Sequence, residues 1–314
     1  MLVLSTIVPP KSIQTDMAVK FPNIDFCYQE DLETDKLSEA EVLITYGEDL
    51  ENQYIRKASR LKWIMVMSAG LEKMPFDAII ERDILVTNAR GIHKIPMAEY
   101  TFAMVLLYEK KGRLLLENER NEKWDRDVKV GELNGKTMLI LGTGAIGGEI
   151  ARMAKAFNMK TVGVNRSGNP TEYIDRIIQE NALIPALSQA DYLISILPST
   201  HETKGFLQEE HFKAMKNSAV FVNIGRGDIV DEDVLLSALA KQEIAHAILD
   251  VFNPEPLAKG HPFWKMDNVT VTSHLSSRSY EYLPRAFQIF EQNLSSYLEG
   301  KSSLVNIVDP EKGY

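Results

Sequence analysis

Leu139-Ile140-Leu141-Gly142-Thr143-Gly144-Ala145-Ile146-Gly147 is the most informative stretch of this 314-residue sequence. Three aliphatic residues close a strand-like run, a G-x-G-x-x-G turn follows, and residues 150–158 continue with helical spacing. Glycines cluster in turns by chance, so the motif alone is weak. Between a strand and a helix it is the phosphate turn of a dinucleotide-binding βαβ unit. Gly142 permits the tight turn, Gly144 lets the backbone approach a pyrophosphate, and Gly147 allows the helix to pack closely on the strand. The helix N-terminus beyond Thr143, at Ala145 and Ile146, offers unpaired N–H groups and the positive end of a dipole.

Outward from this turn the chain alternates between short aliphatic runs and longer amphipathic segments. On the C-terminal side the strand candidates are residues 137–141, 161–164, 192–197, 219–224, 246–251 and 269–272. On the N-terminal side they are 2–4, 42–46, 63–67 and 85–87. Strands separated by helices predict parallel sheets with crossover helices, and fully apolar strands predict burial on both faces. The expected fold is α/β, with two doubly wound parallel-sheet domains. Residues 96–111 are expected to form the helix joining the two series, and residues 283–298 a last helix packing back on the first domain.

Composition removes whole classes of function. The net charge of −9, with no basic cluster, leaves no electrostatic footprint for nucleic acid. The lone Cys27 excludes a disulfide framework and a cysteine-based zinc site, and fits a reducing compartment. The longest strongly apolar run, residues 100–108, is far short of the ~20 residues that span a bilayer. The N-terminal MLVLSTIVPPK does not read as a secretory signal. A cytoplasmic protein with no metal, no membrane and no nucleic-acid partner is expected.

The end of the strand after the phosphate turn selects the nicotinamide cofactor. An NAD site places Asp or Glu there, on the ribose 2′-hydroxyl. This chain has Asn165-Arg166-Ser167. With no carboxylate to repel a 2′-phosphate, and with Arg166 and Ser167 able to bind one, NADP(H) is expected over NAD(H). Ligands of open α/β sheets lie beyond the carboxyl ends of the strands. Those ends bring Arg226 (in Gly225-Arg226-Gly227), Asp250, Glu255 and His274 to one edge. A guanidinium holds and polarises an α-keto acid, an imidazole exchanges a proton with its carbonyl oxygen, and a carboxylate orients the imidazole. His93, just before the joining helix, is the other histidine placed to line the cleft. The remaining histidines lack this combination of strand end and partners.

These residues resemble the D-isomer-specific 2-hydroxyacid dehydrogenases. The likeness runs through VMSAGLEKMPFDAI, LGTGAIGGEIARMAKAF, LPSTHETKGF, NIGRGDIVDEDVLLSALAKQEIAHAILDVFNPEPL and HPFWKMDNVTVTSH, in that order. The resemblance implies that Arg226 binds and polarises the substrate, His274 is the general acid/base and Glu255 its carboxylate partner. It also implies that backbone amides around Ala69, Gly70 and Leu71 receive the substrate carboxylate. Asp250 and the Ile224 carbonyl would hold the nicotinamide amide, with Leu197 and Pro198 lining the cofactor. A flavodoxin-like substrate domain (1–94 and 285–314) and a Rossmann-type cofactor domain (95–284), with a cleft between them, are expected, as is a homodimer. The Arg-Ser pair after Asn165 is similar to the NADP-preferring glyoxylate/hydroxypyruvate reductases. The expected activity is reduction of a 2-keto acid to a D-2-hydroxy acid. The rival is a dinucleotide-sensing, corepressor-type binding protein on the same fold.

Overall fold

The computed structural model describes residues 1–68, 70, 71, 73–301 and 304–311. The chain divides into two compact units, Met1–Ile92 with Ser279–Tyr314, and His93–Arg278.

The first unit is built on a five-stranded sheet of β1 (Leu2–Ser5), β2 (Asp25–Tyr28), β3 (Val42–Thr45), β4 (Trp63–Val66) and β5 (Leu85–Asn88). All pairings are parallel, in the order β2-β1-β3-β4-β5. This is the flavodoxin-like order. Alternate side chains enter two separate cores: Leu2, Leu4, Leu43, Ile64 and Val66 on one face, Val3, Val42, Ile44, Trp63 and Met65 on the other. Both faces are thus covered, which is why the inner strands β1, β3 and β4 are almost wholly apolar. The last helix, Tyr282–Leu298, returns to this unit and buries Ala286, Phe287, Phe290 and Leu294 in the second of those cores.

The second unit holds seven parallel strands: β6 (Thr137–Leu141), β7 (Lys160–Val164), β8 (Arg176–Ile178), β9 (Tyr192–Ser195), β10 (Val220–Asn223), β11 (His246–Leu249) and β12 (Val269–Val271). Their order is β12-β11-β10-β9-β6-β7-β8. It contains the dinucleotide-binding order 3-2-1-4-5-6 plus one further edge strand, with β6 first and the order reversing between β6 and β9. Here too the two faces alternate, Leu139, Leu141, Leu193 and Phe221 against Met138, Ile140, Ile194 and Val222. Helix Lys94–Glu109 opens this unit and packs on helix Ala145–Ala156.

Two strands carry no aliphatic run in the sequence, and both are edges. β2 (DFCY) and β8 (RII) are half-exposed, so burial imposes little pattern on them. Among the described residues no helix is long and apolar enough to cross a membrane.

Candidate active site

The phosphate turn has the geometry its glycines require. Gly142 has φ +98°, in the left-handed region. A Cβ on Gly147 would lie 2.0 Å from the Gly142 carbonyl oxygen, so helix and strand meet there too closely for any side chain. A Cβ on Gly144 would meet nothing within 4 Å, which leaves its backbone open to a ligand. Gly144 is also the N-cap of helix Ala145–Ala156, where Ala145 and Ile146 form the first turn. The turn fits a pyrophosphate in both shape and dipole.

At the end of β7 the Asn165 side chain organises its own loop. Its Nδ2 donates to Thr143 Oγ1 (2.9 Å) and the Asn169 carbonyl (3.1 Å). Its Oδ1 accepts from Gly168 N (2.7 Å) and Ser167 Oγ (3.3 Å). Asn165 therefore ties the loop after β7 to the phosphate turn. The Arg166 backbone is fixed by Gln179 Nε2, which donates to its carbonyl (2.8 Å), while its guanidinium lies in solvent and pairs with Glu202 at 2.5 Å. Leu197 sits beside both the phosphate turn and the loop after β10: its side chain would be 3.5 Å from a Cβ on Gly142, its carbonyl 2.7 Å from one on Gly225. The Pro198 carbonyl accepts from Thr203 Oγ1.

Close approaches also explain the glycines around Arg226. A Cβ on Gly225 would run into the Leu197 backbone, and one on Gly227 would lie 2.1 Å from the carbonyl carbon of Phe252. Arg226 is thus held in a narrow seam that follows the buried Ile224. Its backbone is fixed by Asn223 Nδ2 donating to its carbonyl (2.9 Å). His93 is the N-cap of helix Lys94–Glu109. Burial holds its imidazole below the usual range, the nearby Arg226 charge adds to this, and a bond with the Ser277 backbone opposes it.

The loop carrying His274 is anchored by Asp250, which is fully buried just beyond β11. Its carboxylate accepts from Thr272 Oγ1 (2.6 Å), Leu275 N (3.0 Å) and Ser276 N (2.8 Å), and its carbonyl accepts from His274 N (2.8 Å). Thr272 Oγ1 is also 2.6 Å from Tyr100 Oη. This network holds the His274 backbone at φ +50°, a left-handed conformation uncommon for a non-glycine residue. His274 Nδ1 lies 2.8 Å from Glu255 Oε2, and Glu255 Oε1 accepts from Phe252 N (2.9 Å). One carboxylate oxygen positions Glu255 and the other positions the imidazole. With Nδ1 so engaged, Nε2 is the ring atom left to exchange a proton with a substrate.

In the first unit, Ser68 Oγ donates to the carbonyls of Gly70 (2.8 Å) and Tyr46 (3.2 Å), and Tyr282 Oη donates to the Met67 carbonyl (2.6 Å). Gly70 and the buried Leu71 lie in the turn after β4; Ala69 lies outside the described residues. The anchoring work of Asp250, Thr272 and Tyr100 is not visible in the sequence. Nor is the Glu202 partnership, although Glu202 stands inside the LPSTHETKGF segment.

The profile for the D-isomer specific 2-hydroxyacid dehydrogenase NAD binding domain matches residues 102–276, more than half of the chain. This chain belongs to that family. A glyoxylate reductase from Aeropyrum pernix is 33% identical over 285 residues, covering 86% of this chain and 84% of the relative. The crystal structure of a family protein from Aeromonas salmonicida superposes with a TM-score of 0.86 at 33% identity, covering 98% of each chain. An NADPH-dependent glyoxylate/hydroxypyruvate reductase from Sinorhizobium meliloti, in complex with NADP and sulfate, gives 0.81 at 25% identity, covering 100% of this chain and 99% of that one. The protein is accordingly an NAD(P)-dependent oxidoreductase of the 2-hydroxy acid class, and the corepressor-type alternative is not favoured.

Proposed function

We propose that this dehydrogenase works as an NADPH-dependent reductase of small 2-keto acids of the glyoxylate and hydroxypyruvate kind. The carrying observation is the 2.8 Å contact of His274 Nδ1 with Glu255, on the same row of strand ends as Arg226. When bound, the nicotinamide supplies the hydride. Arg226 holds the keto acid and draws electron density toward its carbonyl oxygen. Nε2 of the His274 imidazolium gives that oxygen its proton and is reprotonated from solvent; Glu255 keeps the ring aimed throughout. The amides near Gly70 and Leu71, with Ala69, would take the carboxylate, while the Ile224 carbonyl and Asp250 would face the nicotinamide amide. Met1–Ile92 with Ser279–Tyr314 is the substrate side of the molecule, and His93–Arg278 the dinucleotide side.

Arg166 and Ser167, with no carboxylate at the end of β7, support NADPH over NADH, as does the NADP bound to the Sinorhizobium meliloti relative. The exposed Leu114, Leu115, Leu116 and Trp124, in and after helix Gly112–Arg120, support a homodimer. The single cysteine supports a cytoplasmic setting.

Oxidation of NADPH and NADH with glyoxylate, hydroxypyruvate, pyruvate and bulkier 2-keto acids tests the proposal. Turnover should be fastest with the small acids and NADPH. Tight NADPH binding with no turnover on any of them would overturn it.

A further inference from the structure

The ion pair between Arg166 and Glu202 has a place in the sheet that gives it a function. Arg166 follows β7 and Glu202 lies in the turn that begins at residue 201, after β9. Those two strands flank β6 on opposite sides, in the order β9-β6-β7, and β6 ends in the phosphate turn. The pair therefore reaches across the end of the strand that leads into Gly142–Gly147, joining the two loops on either side of a bound dinucleotide's path. Both backbones are fixed independently of the pair. Gln179 holds the carbonyl of Arg166, and Thr203 Oγ1 accepts from Thr200 N (2.8 Å) and donates to the Pro198 carbonyl, setting the turn that carries Glu202. The side chains themselves are open to solvent, 86% exposed for Arg166 and 68% for Glu202. Only the guanidinium's choice of anion is left undetermined by the fold.

We propose that Glu202 competes with the 2′-phosphate of NADPH for Arg166, and so limits how strongly the protein prefers NADPH over NADH; this rests on the assignment of Arg166 to the 2′-phosphate. A phosphate of nearly two negative charges must take the guanidinium from the carboxylate before it gains its own charge-assisted bonds. NADH carries a 2′-hydroxyl there and leaves the pair intact. Removing the charge of Glu202 therefore favours one cofactor only.

The test uses the full chain in four forms: wild type, Glu202→Gln, Arg166→Ala and the double variant. Dissociation constants are measured for NADPH and NADH, and for the fragments adenosine 2′,5′-bisphosphate and 5′-AMP. Glu202→Gln should tighten NADPH and the bisphosphate by about fivefold, the ceiling for one exposed ion pair, and leave NADH and 5′-AMP within about twofold. In the Arg166→Ala background the same substitution should change nothing beyond about twofold, and in wild-type background its effect should shrink at high salt. Equal tightening of NADH, no tightening of NADPH, or a full effect without Arg166 would each overturn the competition. If Arg166→Ala itself leaves NADPH affinity unchanged, the 2′-phosphate assignment falls first. If Arg166→Ala weakens NADPH and Glu202→Gln is silent, that assignment stands and the competition alone is wrong.

Discussion

The loop after β12 and the loop after β7 serve the same ligand-binding edge, but they are held in opposite ways. Around His274, the fully buried Asp250 takes three hydrogen bonds on its carboxylate and a fourth on its backbone carbonyl, and fixes a left-handed backbone at the imidazole. Around Arg166 the backbone is tied down while the charged group stays in solvent, paired with Glu202. Hydrogen bonds to a buried charge contribute roughly 1.5–3 kcal/mol each, and exposed ion pairs about 0–1 kcal/mol. Groups that must sit within tenths of an ångström are placed by the first device. A group proposed to choose between two cofactors is suited to the second, because a weak contact is easily exchanged for another.

The largest effect should come from His274→Asn, which tolerates the left-handed backbone but has no proton to give. Turnover should fall by about 10²–10⁴-fold with NADPH affinity nearly unchanged. Equal losses of both would mean that the loop, not the proton, had been removed. Asp250→Asn is next. Its amide nitrogen must face a hydroxyl or an N–H that in the wild type donates to a carboxylate oxygen, so donor meets donor; unfolding free energy should drop by about 2–4 kcal/mol and turnover with it. A variant as stable as the wild type in urea would show that the buried carboxylate does not hold the loop.

His246 separates burial from proximity to the chemistry. It stands at the other end of β11, where its Nε2 is 2.8 Å from Thr270 Oγ1 on β12. Burial, helped by the charges of Arg113 and Lys111, pushes its pKa from 6.5 down to about 4. The folded chain thus keeps it neutral while the unfolded chain takes up a proton below pH 6.5. Stability is unaffected above pH 6.5 and is lost as pH falls from 6.5 toward 4, by about 3 kcal/mol at the end of that window. His246→Gln should lack this slope, so that the difference between the two proteins' stabilities changes across the window, and it should leave turnover at neutral pH close to wild type. If the variant shows the wild-type slope, the imidazole is already solvated in the folded state.

How much of this was legible in the sequence follows the same division. Buried strands imposed their pattern, so β6, β9 and β10 and the glycine turn between β6 and its helix could be located from aliphatic runs and spacing alone. The edge strands β2 and β8 lacked that pressure and left no run to find. Arg226, Glu255 and His274 stood out because strand ends are predictable from the strands. The Asp250–Thr272–Tyr100 chain did not, because it joins residues up to 172 positions apart through contacts that only the folded sheet creates. Arg166 was visible as a charge at a strand end; its partner, 36 positions on, was not.

Arg166→Ala is the smallest expected effect on folding and the sharpest check of the contrast. The side chain removed is 86% exposed and its ion pair with Glu202 is screened by solvent, so the unfolding free energy should change by less than about 0.5 kcal/mol. The same substitution should lower the NADPH-to-NADH ratio of kcat/KM about tenfold, through loss of a charge-assisted contact with the 2′-phosphate. The two measurements must diverge for the comparison to hold. A destabilisation as large as that of Asp250→Asn would mean that the loop after β7 depends on the guanidinium for its shape. In that case cofactor choice and loop folding could not be tuned apart, and the exposed pair would resemble the buried network it is set against.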